Sequence, residues 1–153
     1  MIVRAVIAGG LCLSCVGLAA CDRSPSTDIA LESDGLPMAR SAMVGDMERG
    51  RALFSSRDGG QCVLCHAIDG LDTPFQGDVG PALTHLGDRL SADQIRLRIV
   101  DPARIWPDTI MPAYGRKDGL NQVDPAYEDQ PILSAQDIED LVAYLASETE
   151  STP

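Results

Sequence analysis

Cys62-Val63-Leu64-Cys65-His66 carries the most chemistry of any stretch in this chain. Two thiols separated by two residues and followed at once by an imidazole form the attachment pattern for c-type haem. At that spacing both sulfurs reach the vinyl groups of one porphyrin and form thioethers. The histidine then falls beneath the iron as an axial ligand. Competing readings of the same residues are a surface redox pair, or half of a zinc site beside a chance histidine.

A low-spin electron-transfer iron takes a second axial ligand, a thioether or an imidazole. Met111 is the first choice. It lies in the loop Asp108-Thr109-Ile110-Met111-Pro112-Ala113-Tyr114, where Pro112 restricts the residue before it to extended backbone. The chain has two histidines, and His85 is the rival, giving a bis-histidine site. The remaining alternatives are an open sixth position, another methionine, or a Met111 that only fills the core. Met38, Met43 and Met47 all precede the haem motif. A thioether favours Fe(II) more than imidazole does, so His/Met ligation raises the reduction potential. A closed six-coordinate iron passes electrons and binds no substrate.

These groups must be exported before haem can be attached to them. Residues 1–20 read as a secretory signal, with Arg4 followed by an apolar run to Ala20 that is too short and too rich in small residues for a membrane span. The run ends Leu18-Ala19-Ala20-Cys21, which resembles the lipobox of bacterial lipoproteins. That resemblance implies cleavage before Cys21 and a diacylglycerol on its sulfur, hence attachment to the membrane through a lipid anchor. Ordinary signal cleavage with a free Cys21 is the alternative. Asp22 next to the cysteine fits retention on the periplasmic side of the bacterial inner membrane. Cys12 and Cys15 lie inside the signal and read as small apolar residues. Of the five cysteines, two then leave with the signal, one is lipidated and two hold haem. No free thiol remains, so chemistry that needs a nucleophilic cysteine falls to a partner. The net charge of −11 gives the chain little attraction for nucleic acid or anionic lipid.

Residues 21–44 are polar and irregular and read as a flexible tether. Residues 45–150 make one domain, of a length that supports a single core. Three helices are expected. The first runs from about Asp46, a plausible N-cap, to Ser55, with Met47, Gly50 and Phe54 on one face. The second runs from Ala92 to Val100, opened by the capping box Ser91–Gln94 and closed by Pro102. The third runs from Ala135 to Ser147, capped by Ser134, with a stripe of Ile138, Leu141, Val142 and Leu145. No alternating strand pattern appears. With two phenylalanines and one tryptophan, the domain is poor in aromatic core, and a bound porphyrin would supply the missing apolar volume. The fold class expected is all-α, with long loops around one covalent haem c.

Gly80-Pro81-Ala82-Leu83, following the haem motif, resembles the G-P-x-L segment of class I cytochromes c. The resemblance implies that the Pro81 carbonyl accepts the second imidazole N–H of His66 and fixes the ring. It also implies that an N-terminal helix with Gly50 and Phe54 crosses a C-terminal helix with Leu141 and Tyr144.

The match extends further. Phe75-Gln76-Gly77-Asp78, Arg89-Leu90-Ser91, Gln94 to Asp101, Pro107 to Tyr114 and Pro131 to Asp140 are similar to SoxX, the monohaem subunit of the SoxAX cytochromes of thiosulfate oxidation. That resemblance implies a heterodimer with a SoxA-like subunit carrying one or two haems. The complex, an L-cysteine S-thiosulfotransferase, couples thiosulfate oxidatively to a cysteine of the carrier SoxYZ, and the SoxX haem relays the electrons to an acceptor cytochrome c. The implied role of this chain is relay and docking, with no catalytic residue of its own. Met111, Tyr114, Arg116 and Lys117 are candidate interface members near the haem edge. Two other functions stay open: a stand-alone, membrane-tethered respiratory cytochrome c, and a haem-based sensor with a displaceable sixth ligand.

Overall fold

The computed structural model describes residues 43–57, 59–120, 123–125 and 128–150. They form four α-helices, α1 (Met47–Ser55), α2 (Leu86–Arg89), α3 (Ala92–Val100) and α4 (Ala135–Ser147), with 3-10 turns at Cys62–Leu64 and Pro102–Arg104. Among the described residues there is no strand. The expected signal, the expected lipidation site Cys21 and the expected tether as far as residue 42 lie outside the described residues.

Each of the three long helices starts where a short polar side chain takes up N–H groups that the first turn leaves unpaired. Asp46 accepts from the N–H groups of Glu48 (2.9 Å) and Arg49 (3.1 Å). Ser91 and Gln94 close a reciprocal capping box on α3, and Ser134 and Asp137 close another on α4. Pro102 has no N–H to extend α3, so the chain tightens into a 3-10 turn instead.

α4 is the central helix; α1, α2 and α3 all pack on it. It buries Ile138, Leu141, Val142, Tyr144 and Leu145. α1 crosses it at Gly50, where a Cβ would overlap the Asp140 carbonyl and sit 2.8 Å from Tyr144 Cβ. Only glycine permits that approach. Phe54 then meets Tyr144 edge-on, ring centroids 5.9 Å apart, an arrangement that adds about 0.5–1.5 kcal/mol beyond area burial. Gly50 and Phe54 lie on the buried face as expected, but Met47 is half exposed. The reason is that backbone, not the Met47 side chain, covers this end of α4: Gly45 lies directly against the Glu139 carbonyl, and the Asp46 N–H donates to Asp140 (2.8 Å).

Two adjacent carboxylates of α4 pin its neighbours. Asp140 is fully buried and also accepts from Gln136 (2.9 Å) and from the Arg49 guanidinium of α1. Burial alone would raise its pKa, but the Asp46 N–H, Arg49 and Gln136 outweigh burial and hold the carboxyl below its ordinary value. Glu139 points to the other side and takes Arg96 of α3 in a buried two-pronged pair, Nε to Oε1 at 2.6 Å and Nη2 to Oε2 at 2.8 Å. Asp93 adds a third bond to Arg96 at 2.6 Å. α2, too short for the helical pattern to reveal, seats buried Leu86 in the core and donates the Gly87 N–H to the Glu148 carbonyl just past α4 (2.8 Å).

Candidate haem-binding site

The helices enclose a cavity of about 560 Å³ between the Cys62–Leu64 turn on one side and the loop from Trp106 to Tyr114 on the other. Its walls are mainly apolar, including Phe54, Ile95, Ile99 and Leu141. Cys62, Cys65 and His66 line it on the first side and Met111 on the second. Pro81 also lines it. His85 does not; it is exposed at the head of α2, in left-handed backbone at φ 56°.

The first wall is set by backbone bonds. The His66 N–H donates to the Cys62 carbonyl (2.9 Å), and the Gly80 N–H donates to the Cys65 carbonyl (2.7 Å). The Gly77 and Leu83 N–H groups donate to the Val63 and Ala67 carbonyls, each at 2.8 Å. The His66 ring lies in the space that a side chain at Gly80 would occupy, since a Cβ there would come within 2.6 Å of Nδ1. His66 Nδ1 is 2.8 Å from the Pro81 carbonyl oxygen. A carbonyl can only accept, so Nδ1 carries the proton and Nε2 keeps its lone pair for a metal.

The second wall is attached to α3. The Tyr114 and Gly115 N–H groups donate to the Ile99 and Val100 carbonyls, both at 3.1 Å. Within the loop the Met111 N–H donates to Thr109 Oγ1 (3.1 Å). Burial, with the two cysteines beside it, pushes the Tyr114 hydroxyl up to about 12, so it stays neutral against the cavity. Arg116 turns away to Asp101 (3.3 Å) and the Gly119 carbonyl (2.9 Å), and Lys117 is exposed.

Two cations that the motifs do not announce also line the cavity, Arg89 and Arg98. Arg89 gathers the carbonyls of Ala82 (3.1 Å) and Thr84 (3.2 Å). Arg98 stacks over Trp106 at 5.3 Å. The chemistry of the lining fits a porphyrin. Apolar walls suit its macrocycle, a C-x-x-C pair would take its vinyl groups, arginines suit its two carboxylates, and an imidazole and a thioether line the same cavity. The lining does not fit zinc: among the described residues no three His, Cys, Asp or Glu gather as a metal cluster. A surface redox pair fits no better. Burial pushes the Cys62 thiol up to about 12, far above a reactive thiolate.

The cytochrome c family profile matches residues 47–149, and the chain belongs to the cytochrome c family, whose members bind haem c covalently. The fold is that of a class I cytochrome c. Within the family this is a SoxX-like cytochrome. It superposes on a chain of the crystal structure of SoxXA from P. pantotrophus with a TM-score of 0.70 at 30% identity, over 76% of this chain and 91% of that one. The c-type cytochrome SorU from Sinorhizobium meliloti is similar at 23% identity and a TM-score of 0.44, over 67% of this chain and 90% of that one. No curated protein sequence matches.

Proposed function

We propose that this chain is the electron-relay subunit of a SoxAX-type complex. One haem c is joined to Cys62 and Cys65 and ligated by His66 and Met111. The observation that carries this reading is the shared cavity. Its first wall presents His66 with Nδ1 engaged by Pro81 and Nε2 free, its second wall presents Met111, and His85 lies outside. Haem c supplies a one-electron Fe(III)/Fe(II) couple.

The residues of the chain set the conditions for that couple. Pro81 and Gly80 orient His66 as a sigma donor. Met111 supplies the soft ligand that favours the reduced state. Arg89 and Arg98 balance carboxylate charge, and the apolar lining excludes water. With Cys62 and Cys65 joined to haem and Cys21 lipidated, the mature chain keeps no thiol of its own to hold sulfur. The oxidative coupling of thiosulfate to a SoxYZ cysteine therefore takes place on a SoxA-like subunit. This chain takes up the electrons released there and passes them to an acceptor cytochrome c. Lipidation at Cys21 would hold the assembly on the periplasmic side of the inner membrane, on the tether of residues 21–44. Radiolabelled palmitate incorporated into wild type but not Cys21→Ala tests the anchor.

The function is tested by affinity purification of the full chain from native membranes. A second c-type haem chain should co-purify, and the complex with SoxYZ should show thiosulfate-dependent reduction of its haem. If no such chain co-purifies and thiosulfate never reduces the haem, the chain is a stand-alone cytochrome.

A further inference from the structure

We propose that Phe75 is the anchor by which this chain seats on its stable partner subunit, entering an apolar socket rimmed by lysine and arginine. The proposal rests on the SoxAX reading above and names the surface and the chemistry of the contact.

Phe75 is one of two phenylalanines in the chain and is 89% exposed. Its φ is +58°, left-handed backbone that a bulky side chain rarely adopts. Strained backbone persists only where its surroundings enforce it, and here they do so from behind. Gln76 Oε1 accepts the Ile68 N–H (2.8 Å), while its Nε2 donates to the carbonyls of Ile68 (3.2 Å) and Leu71 (3.4 Å). The Gly77 N–H is bound to Val63 (2.8 Å), and Gly77 lies so close to the Leu64 carbonyl that a side chain would collide with it. The ring is therefore held outward by a fixed loop. A partner meets it without first paying to order that loop. Aromatic residues, Phe among them, are enriched at the cores of protein interfaces. The loop also rests on the haem-attachment turn, and Leu64 of that turn is itself exposed.

Charge specifies the rim. Between Arg57 and Arg89 the sequence holds no lysine or arginine. Asp72 and Asp78 of this stretch are exposed on either side of Phe75 in the chain, while Asp69 shares a cleft with Arg51 of α1 and Arg89 is turned to the carbonyls of Ala82 and Thr84. An apolar tip in an acidic field selects a basic-rimmed socket.

The test uses the full haem-loaded chain, its co-expressed SoxA-like subunit, and Phe75→Gly. Glycine accepts the positive φ, so this variant keeps the loop, the optical spectrum and at least wild-type thermal stability while losing the ring. The expected result is a Kd weakened tenfold or more, together with a wild-type Kd that weakens with salt. Asp72→Asn/Asp78→Asn should slow association a few-fold. Wild-type affinity in Phe75→Gly overturns the anchor while leaving the SoxAX reading intact. A Kd indifferent to salt overturns the basic rim. If wild type binds no SoxA-like subunit, the SoxAX reading falls and this occupant falls with it. If the chain alone dimerises and Phe75→Gly abolishes the dimer, the socket belongs to a second copy, which contradicts the proposal.

Discussion

The two walls of the haem cavity are built to different standards. On the His66 side, the histidine is fixed by its own N–H on Cys62, by Nδ1 on Pro81 and by the Gly80 backbone beneath its ring. On the Met111 side, the loop is tied before the ligand by Trp106, which bonds to Pro102 and lies under Arg98 of α3, and after it through Tyr114 and Gly115, but Met111 itself has one bond, to Thr109. Exposed Ile110 and Pro112 flank Met111 on either side. A covalently attached cofactor needs one immovable wall. The other wall presents Met111, and the proposed ligand there is held by fewer bonds of its own than His66. The Met111 side is therefore the one that yields first to heat or to added ligands.

The largest effect on this contrast comes from Gly80→Ala, because the new methyl must displace the His66 ring or the backbone under it. The expected cost is about 3 kcal/mol, with haem content and thermal midpoint both lowered. A variant with wild-type haem content and midpoint would show that the first wall is not rigid.

Asp140 sharpens the contrast from outside the site, because it holds α1 against α4. Its carboxyl is depressed in the folded protein, so the stability it contributes is complete above its unfolded value of about 3.9. That contribution is lost as pH falls through the lower folded value. Asp140→Asn should cost about 1–3 kcal/mol at neutral pH and flatten the acid limb of a denaturant-midpoint profile. An unchanged acid limb would assign acid unfolding to other groups.

The smallest effect is expected at Thr109→Val, which removes the acceptor for the Met111 N–H. A loss of about 0.5–1.5 kcal/mol should be confined to the second wall: thioether ligation melts at a lower temperature while helical circular dichroism keeps its midpoint. Equal shifts in both signals would mean that the two walls melt as one unit.

How much of this was legible in sequence follows from the kind of force involved. Caps are local, and Asp46, Ser91 and Ser134 marked the starts of α1, α3 and α4 within a residue. Periodicity marked the buried stripe of α4, and Gly50 marked a close crossing. Met47 followed the same period and is half exposed, because what covers that part of α4 is backbone at Gly45 and Asp46. Cys62, Cys65, His66 and Met111 were legible as single residues. Their meeting around one cavity depends on loops whose hydrogen bonds have no periodic signature. Arg96, Glu139 and Asp140 were quoted only within similar segments, so neither the buried pair Arg96–Glu139 nor the pairing of half-exposed Arg49 with buried Asp140 was read from sequence. Their signal was present, since Glu139 and Asp140 sit between Ile138 and Leu141 inside the apolar stripe. Arg89 and Arg98 were quoted within similar segments without a role, because nothing in a helix pattern says that a cation faces a cavity. Gln76 likewise shows its role only once Ile68 and Leu71 are folded beside it.

The measurement that bears most directly on the central claim is the optical spectrum of the oxidised, haem-loaded full chain beside that of Met111→Ala. Ligation by His66 and Met111 predicts the weak long-wavelength band of a methionine–Fe(III) bond in wild type, with no response of the reduced protein to CO. It predicts loss of that band and rapid CO binding in Met111→Ala, with the haem still covalently attached. A wild-type protein without the band, or a Met111→Ala variant that keeps it, would contradict the account.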